Sequence, residues 1–172
     1  FLGMTYTTKL LDGLDGLAGT ISLVILSTFL YIGYINNDNL IVTLCLFSMT
    51  SVLAFLIFNW NPARIFMGDS GSLFLGFIIS IVAVLSLKYI HPISVFYLTA
   101  LPIIDTVVVM LRKKRKKISP FSPDKTHIHH ILLGFFSKKV KTTVIFLILM
   151  QCLFSIAGLM MANSSNKLTL GS

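Results

Sequence analysis

The sequence predicts an all-α integral membrane protein of about five transmembrane helices. Three observations carry this: 55% hydrophobic against 12% charged residues, uncharged stretches long enough to cross a bilayer, and no alternating periodicity of the kind a membrane barrel requires. With 14 Phe in 172 residues, the composition excludes a solvated globular domain.

Each helix follows from the spacing of charges. Between Asp15 and Asp38 lie 22 residues without Asp, Glu, Lys or Arg; Asp38 to Arg64 encloses 25, Asp69 to Lys88 encloses 18, and Lys141 to Lys167 encloses 25. A hydrocarbon core of ~30 Å takes about 20 helical residues, so each stretch can span it. A fifth segment is apolar apart from Asp105 and contains Pro102; it spans if neighbouring helices satisfy what those two residues disturb. The expected helices are residues 16–35, 40–59, 71–88, 93–111 and 143–161.

Basic residues set the orientation, because lysines and arginines near helix ends stay on the cytoplasmic side. Ten of the 14 lie between Arg112 and Lys141, which makes 112–142 a cytoplasmic loop of a single membrane domain covering 1–172. Counting backwards, the turn at Lys88–Pro92 is external, Trp60–Ser70 internal, Ile35–Asn39 external and the segment up to Gly16 internal. Asp12, Asp15, Asp69, His127, His129 and His130 then all fall on the cytoplasmic side, with Asp105 about two turns inside its helix. A site assembled from three cytoplasmic loops is the simplest account of that sorting.

The chemistry available there is specific. No Glu occurs anywhere, and cationic and imidazole donors outnumber the few carboxylates, which suits a polyanionic ligand handled with a divalent cation. Magnesium prefers one or two carboxylates completed by phosphate oxygens, and phosphoryl transfer needs mainly charge neutralisation and in-line positioning. In Leu10–Gly19, Asp12 and Asp15 stand three apart, as do Gly13, Gly16 and Gly19; on a helix both sets form stripes. The plainer reading is glycine-mediated helix packing with aspartates capping a helix start. Asp69, in Phe66-Met-Gly-Asp-Ser-Gly-Ser72, sits on a short loop ahead of an apolar helix. It reads either as an ordinary N-cap or as a metal ligand beside backbone N–H groups that welcome phosphate. The third cluster, Ser119-Pro-Phe-Ser-Pro-Asp-Lys-Thr-His-Ile-His-His130, ends in three imidazoles. Zinc is disfavoured because Cys45 and Cys152 lie inside membrane helices; imidazoles binding a diphosphate fit better. The basic run at 112–117 has the duller task of fixing topology and attracting anionic lipid.

Taken in order, Asp-Gly-Leu-Asp-Gly-Leu, Phe-Met-Gly-Asp-Ser-Gly-Ser, Pro-Ile-Ile-Asp and the His-Ile-His-His loop resemble the polyprenyl-phosphate N-acetylhexosamine-1-phosphate transferases. Within them the chain is most similar to the bacterial undecaprenyl-phosphate N-acetylglucosamine-1-phosphate transferases of cell-envelope polysaccharide synthesis (O-antigen, common antigen, teichoic acid linkage). The related phospho-MurNAc-pentapeptide translocases usually carry three consecutive histidines instead. The resemblance implies that Asp69 ligates magnesium, with manganese as an alternative, that Asp12 and Asp15 line the nucleotide site as catalytic residues, and that His127, His129 and His130 grip the diphosphate. The partners it implies are UDP-N-acetylhexosamine and a polyprenyl phosphate within the bacterial inner membrane, with no nucleic acid; a homodimer is left open. UMP would leave as a lipid-linked sugar diphosphate forms.

Two departures accompany the match. Asparagines that the family carries six and three residues before Asp12 are replaced by Tyr6 and Lys9, which removes amide contacts and offers a cation to phosphate. The family's earlier half, with its paired-aspartate motif, is not in this chain, so the chain is expected to be a C-terminal portion, without transferase activity on its own. A truncated inactive remnant and a non-enzymatic membrane module are the alternatives. Against a carrier, the acids cluster at one face and no internal repeat is evident.

Overall fold

The computed structural model of the chain describes residues 13–115, 128–136 and 139–169, with the side chains at 113, 128–130 and 163–169 excepted. Among the described residues every regular element is a helix: α1 Leu17–Ile35, α2 Asn39–Asn59, α3 Gly68–Ser86, α4 Pro92–Leu98, α5 Ala100–Arg115, α6 Ile128–Phe135 and α7 Val140–Thr169. Of these α1, α2, α3 and the Val140–Ala162 part of α7 are long and apolar enough to cross a membrane, and α4 with α5 makes a fifth crossing if counted as one broken span. The chain is therefore a multi-pass membrane protein of the predicted class, with helix ends close to those expected.

Helix α1 is the hub, packing against α2, α3 and α7. Leu17, Ile21, Ile25, Leu26 and Phe29 are all 1% exposed or less, whereas α2 and α3 keep outward faces of Phe47, Ile57, Phe74 and Phe77. Lipid is as apolar as these side chains, so helices associate in a bilayer through close packing rather than through the hydrophobic effect. Glycine supplies the close approach. A Cβ on Gly19 would come within 2.8 Å of Leu56 Cδ2, and one on Gly33 within 2.7 Å of Ile41 Cγ2. Hydroxyls buried in the apolar helices satisfy themselves on the preceding turn, as Ser80 does on the Gly76 carbonyl (2.7 Å) and Ser86 on Val82 (2.8 Å).

The reversal between α1 and α2 is closed by local chemistry. The Asn36 amide donates to Ile32 O at 2.8 Å, Asn37 adopts φ 52°, and the Asp38 carboxylate N-caps α2 by accepting from Leu40 N (3.1 Å) and Ile41 N (3.2 Å). From the α3–α4 turn, the Tyr89 hydroxyl donates to the other Asp38 oxygen at 2.8 Å. These two turns therefore meet at one end of the bundle.

The expected single helix over 93–111 is corrected: the chain breaks at Thr99, and α4 and α5 are bent by 83°. Proline explains the position. An unbroken helix would pair the Leu98 carbonyl with the N–H of residue 102, which Pro102 lacks. Gln151 of α7 makes up the deficit, its Nε2 donating to Leu98 O at 2.7 Å while its Oε1 accepts from Leu101 N at 3.2 Å. Helix α5 also runs on to Arg115, so the basic run begins as helix rather than as loop.

Candidate active site

At the end of the bundle opposite Asp38, the segment before α1 meets the 60–67 connection between α2 and α3. The turn at 13–16 closes with Leu17 N donating to Leu14 O at 3.0 Å, and Gly16 takes φ 76°. That left-handed residue suits glycine. It also lies against the Trp60 ring, where an added Cβ would stand 3.2 Å from Cε3. The stripes that Gly13, Gly16 and Gly19, and Asp15 with Asp12, would form on a helix are not seen among the described residues, which exclude Asp12. Helix α1 starts only at Leu17, and of the three glycines only Gly19 is helical.

Asp15 does not cap α1 either, because its carboxylate reaches across to the next connection. Its Oδ2 accepts from Asn61 Nδ2 at 2.8 Å and from Ala63 N at 3.1 Å. Beneath it, the 3% exposed Asn59 ties the same two segments: Oδ1 accepts from Gly16 N at 3.0 Å, and Nδ2 donates to Ile65 O at 2.8 Å. Arg64 N donates to Phe58 O at 2.8 Å, folding the connection back over the end of α2, and the Asn61–Pro62 peptide is cis. Asn59 and Asn61 are the site residues that a reading of charges alone missed. The available signal was an amide at the end of a stretch otherwise apolar, where a polar group needs a partner.

Asp69 follows at once. It was expected on a loop ahead of the helix, but lies inside the first turn of α3, where its side chain is exposed. Met67 is the N-cap, without a side-chain hydrogen bond, so Asp69 is not the cap. Gly68 at φ 67° turns the chain into the helix, and Ser72, fully buried, donates to Gly68 O at 2.8 Å. A helix N-terminus carries partial positive charge from N–H groups without intrahelical acceptors. Asp15 and Asp69 are thus placed at one end of the bundle, joined by a hydrogen-bonded connection.

Asp105 is 2% exposed within α5. The backbone of His129 and His130 forms the start of α6, so these two are helical rather than part of an extended loop; their side chains, together with Asp12 and His127, lie outside the described residues. Among the described residues no group of three His, Cys, Asp or Glu is gathered as a ready-made metal cage. Beside Asp69, an apolar groove of about 520 Å³ opens between α2 and α3, lined by Phe47, Phe55, Met67, Gly71 and Phe74 among others.

Helical bundle and acidic end together define a multi-pass membrane protein with Asp15 and Asp69 brought to one end of its bundle. Residues 1–87 match the model of glycosyl transferase family 4, and the chain belongs to that family. It is 39% identical over 174 residues to the probable undecaprenyl-phosphate N-acetylglucosaminyl 1-phosphate transferase of Bacillus subtilis, covering 98% of this chain and 48% of that protein. Identity to the undecaprenyl-phosphate alpha-N-acetylglucosaminyl 1-phosphate transferase of Escherichia coli K12 is 33% over 141 residues, 76% of this chain and 38% of the other. A phospho-N-acetylmuramoyl-pentapeptide-transferase of Staphylococcus carnosus is 32% identical over 142 residues, 81% and 43% respectively. The chain spans about half the length of these curated relatives, or less.

Proposed function

We propose that this chain carries one face of the active site of a phosphosugar transferase that moves N-acetylglucosamine 1-phosphate from UDP-N-acetylglucosamine to undecaprenyl phosphate in cell-envelope polysaccharide synthesis. The observation that carries the reading is the link between Asp15 and the 59–65 connection that leads directly to Asp69, in a chain whose relatives are named for this transfer. In the reaction an oxygen of the carrier phosphate bonds to the sugar-linked phosphorus as the bond from that phosphorus to the bridging oxygen breaks, and UMP departs.

The residues divide the work. Asp69, exposed in the first turn of α3, is suited to hold magnesium, or manganese, because such an ion takes only one or two carboxylates and completes its shell with phosphate oxygens. When bound, it supplies charge neutralisation to the diphosphate. Asp15, fixed through Oδ2, and Asp12, three positions before it in the sequence, position the nucleotide, while His127, His129 and His130 hold the diphosphate. The groove ending at Met67 and Gly71 gives the isoprenoid chain of the acceptor an apolar path to Asp69. The acidic end faces the cytoplasm, where nucleotide sugars are found, in agreement with the excess of Lys and Arg over 112–141.

The test is magnesium-dependent release of UMP from UDP-N-acetylglucosamine by the protein carrying this chain, in detergent with undecaprenyl phosphate. Release that needs both the metal and the lipid acceptor supports the reading. Absence of release with both present overturns it.

A further inference from the structure

Gln151 is a long amide in the middle of an apolar helix, 0% exposed, and among the described residues its hydrogen bonds outside α7 go to the backbone at the α4–α5 break. Nε2 donates to Leu98 O (2.7 Å) and to Ser155 Oγ (3.2 Å), and Oε1 accepts from Leu101 N (3.2 Å). It thus closes both backbone groups on either side of Thr99 at once. Two turns further on, Gly158 lets α4 seat directly on α7: a Cβ there would lie 3.0 Å from Leu98 Cδ2 and 3.2 Å from Ser94 O. The break is therefore held from outside, by one side chain and one notch on α7.

What the break aims is chemistry. Asp105 lies one turn beyond Leu101 in α5 and is buried, and the far end of α5 leads into the segment that carries His127, His129 and His130. We propose that Gln151 is a positioning residue for the transfer site: by fixing the 83° bend it sets the direction in which α5 carries the buried Asp105. The proposal rests on the transferase reading for its consequence, though not for its geometry. A simple membrane-packing role would ask only that the buried amide be satisfied; a positioning role asks that it be satisfied by these two backbone groups.

Two variants separate those roles. Pro102→Ala restores the N–H that an unbroken helix offers to Leu98 O, so Pro102→Ala with Gln151→Leu leaves Leu98 O satisfied while removing the clamp. With spin labels at Ile93→Cys and Met110→Cys in a background without Cys45 and Cys152, the α-carbon separation is about 20 Å for two helices bent by 83°, and about 26 Å for one straight helix rising 1.5 Å per residue. The expected result is a lengthening toward the straight value and a fall in kcat of about tenfold or more, with KM for the nucleotide sugar unchanged. The second variant, Gln151→Asn, keeps a buried amide one methylene too short to span both groups, and is expected to lose kcat at wild-type abundance in the membrane. An unaltered label separation in the double variant, or wild-type kcat in either variant, overturns the proposal. If the parent protein transfers no phosphosugar, the transferase reading fails, and the label separation in the double variant, set against that in Pro102→Ala alone, still decides whether Gln151 holds the bend.

Discussion

Replacing Asn59 by leucine removes the tie between the two acidic segments without touching a charge. Two backbone groups lose their partner: Gly16 N–H, which is buried, and Ile65 C=O, which is partly open to water. A buried polar group left unsatisfied costs about 1–3 kcal/mol. The Gly16 amide should approach the upper part of that range and the Ile65 carbonyl the lower, so Asn59→Leu is expected to destabilise the fold by about 2–4 kcal/mol. Asn61→Ala is the comparator. It removes one hydrogen bond to Asp15 at a part-buried position that water can reach, worth about 0.5–1.5 kcal/mol. Equilibrium unfolding in mixed detergent micelles, followed by circular dichroism, measures both. If Asn59→Leu is no more destabilising than Asn61→Ala, the account of Asn59 as the tie beneath the site is refuted.

Other consequences can be read the same way. Gly33→Ala places a methyl 2.7 Å from Cγ2 and 2.9 Å from Cβ of the buried, β-branched Ile41, which cannot rotate away; a loss of about 1–3 kcal/mol is expected in the same unfolding assay. At the opposite end of the bundle, the Tyr89 hydroxyl, then the Ile41 backbone N–H, hold the Asp38 carboxyl below its usual 3.8. A depressed carboxyl contributes stability that is present above its unfolded pKa and lost as pH falls through the folded value. Tyr89→Phe should therefore melt lower than wild type at neutral pH, with the difference shrinking below about pH 4; a pH-independent difference would contradict the bond. For sidedness, a membrane-impermeant maleimide applied to intact cells should label Lys88→Cys and spare Ser70→Cys, in a background without the native cysteines; the reverse pattern would invert the topology.

Much of the fold was legible because length and composition alone decide whether a segment can cross a bilayer. The uncharged stretches after Asp15, Asp38 and Asp69 became α1, α2 and α3 with ends shifted by only a few residues. The fifth segment was not legible as two helices. Pro102 marked a weakness, but the partner that turns it into an 83° break is Gln151, about fifty positions away, and one sequence does not show which helix α7 will face. The site divided similarly. Asp15 and Asp69 stood out as carboxylates beside apolar helices, and the structure brings their segments to one end. Its means of doing so could not be inferred from spacing: a left-handed Gly16 cancels the helical stripe, and the cross-links run through Asn59 and Asn61, residues that carry no charge and so escaped a search for charge.

The most direct test of the central claim, that the Asp15–Asp69 end is where phosphosugar transfer takes place, is the rate of lipid-linked product formation from radiolabelled UDP-N-acetylglucosamine in three single variants of the protein carrying this chain. Asp15→Asn and Asp69→Asn should each lower kcat by about a hundredfold or more, the range lost when one charge-stabilising group is removed from an active site. Asp38→Asn, at the other end of the bundle, should leave kcat within about twofold, since its hydrogen bonds serve packing alone. Equal losses in all three, or full activity in Asp69→Asn, would contradict the assignment.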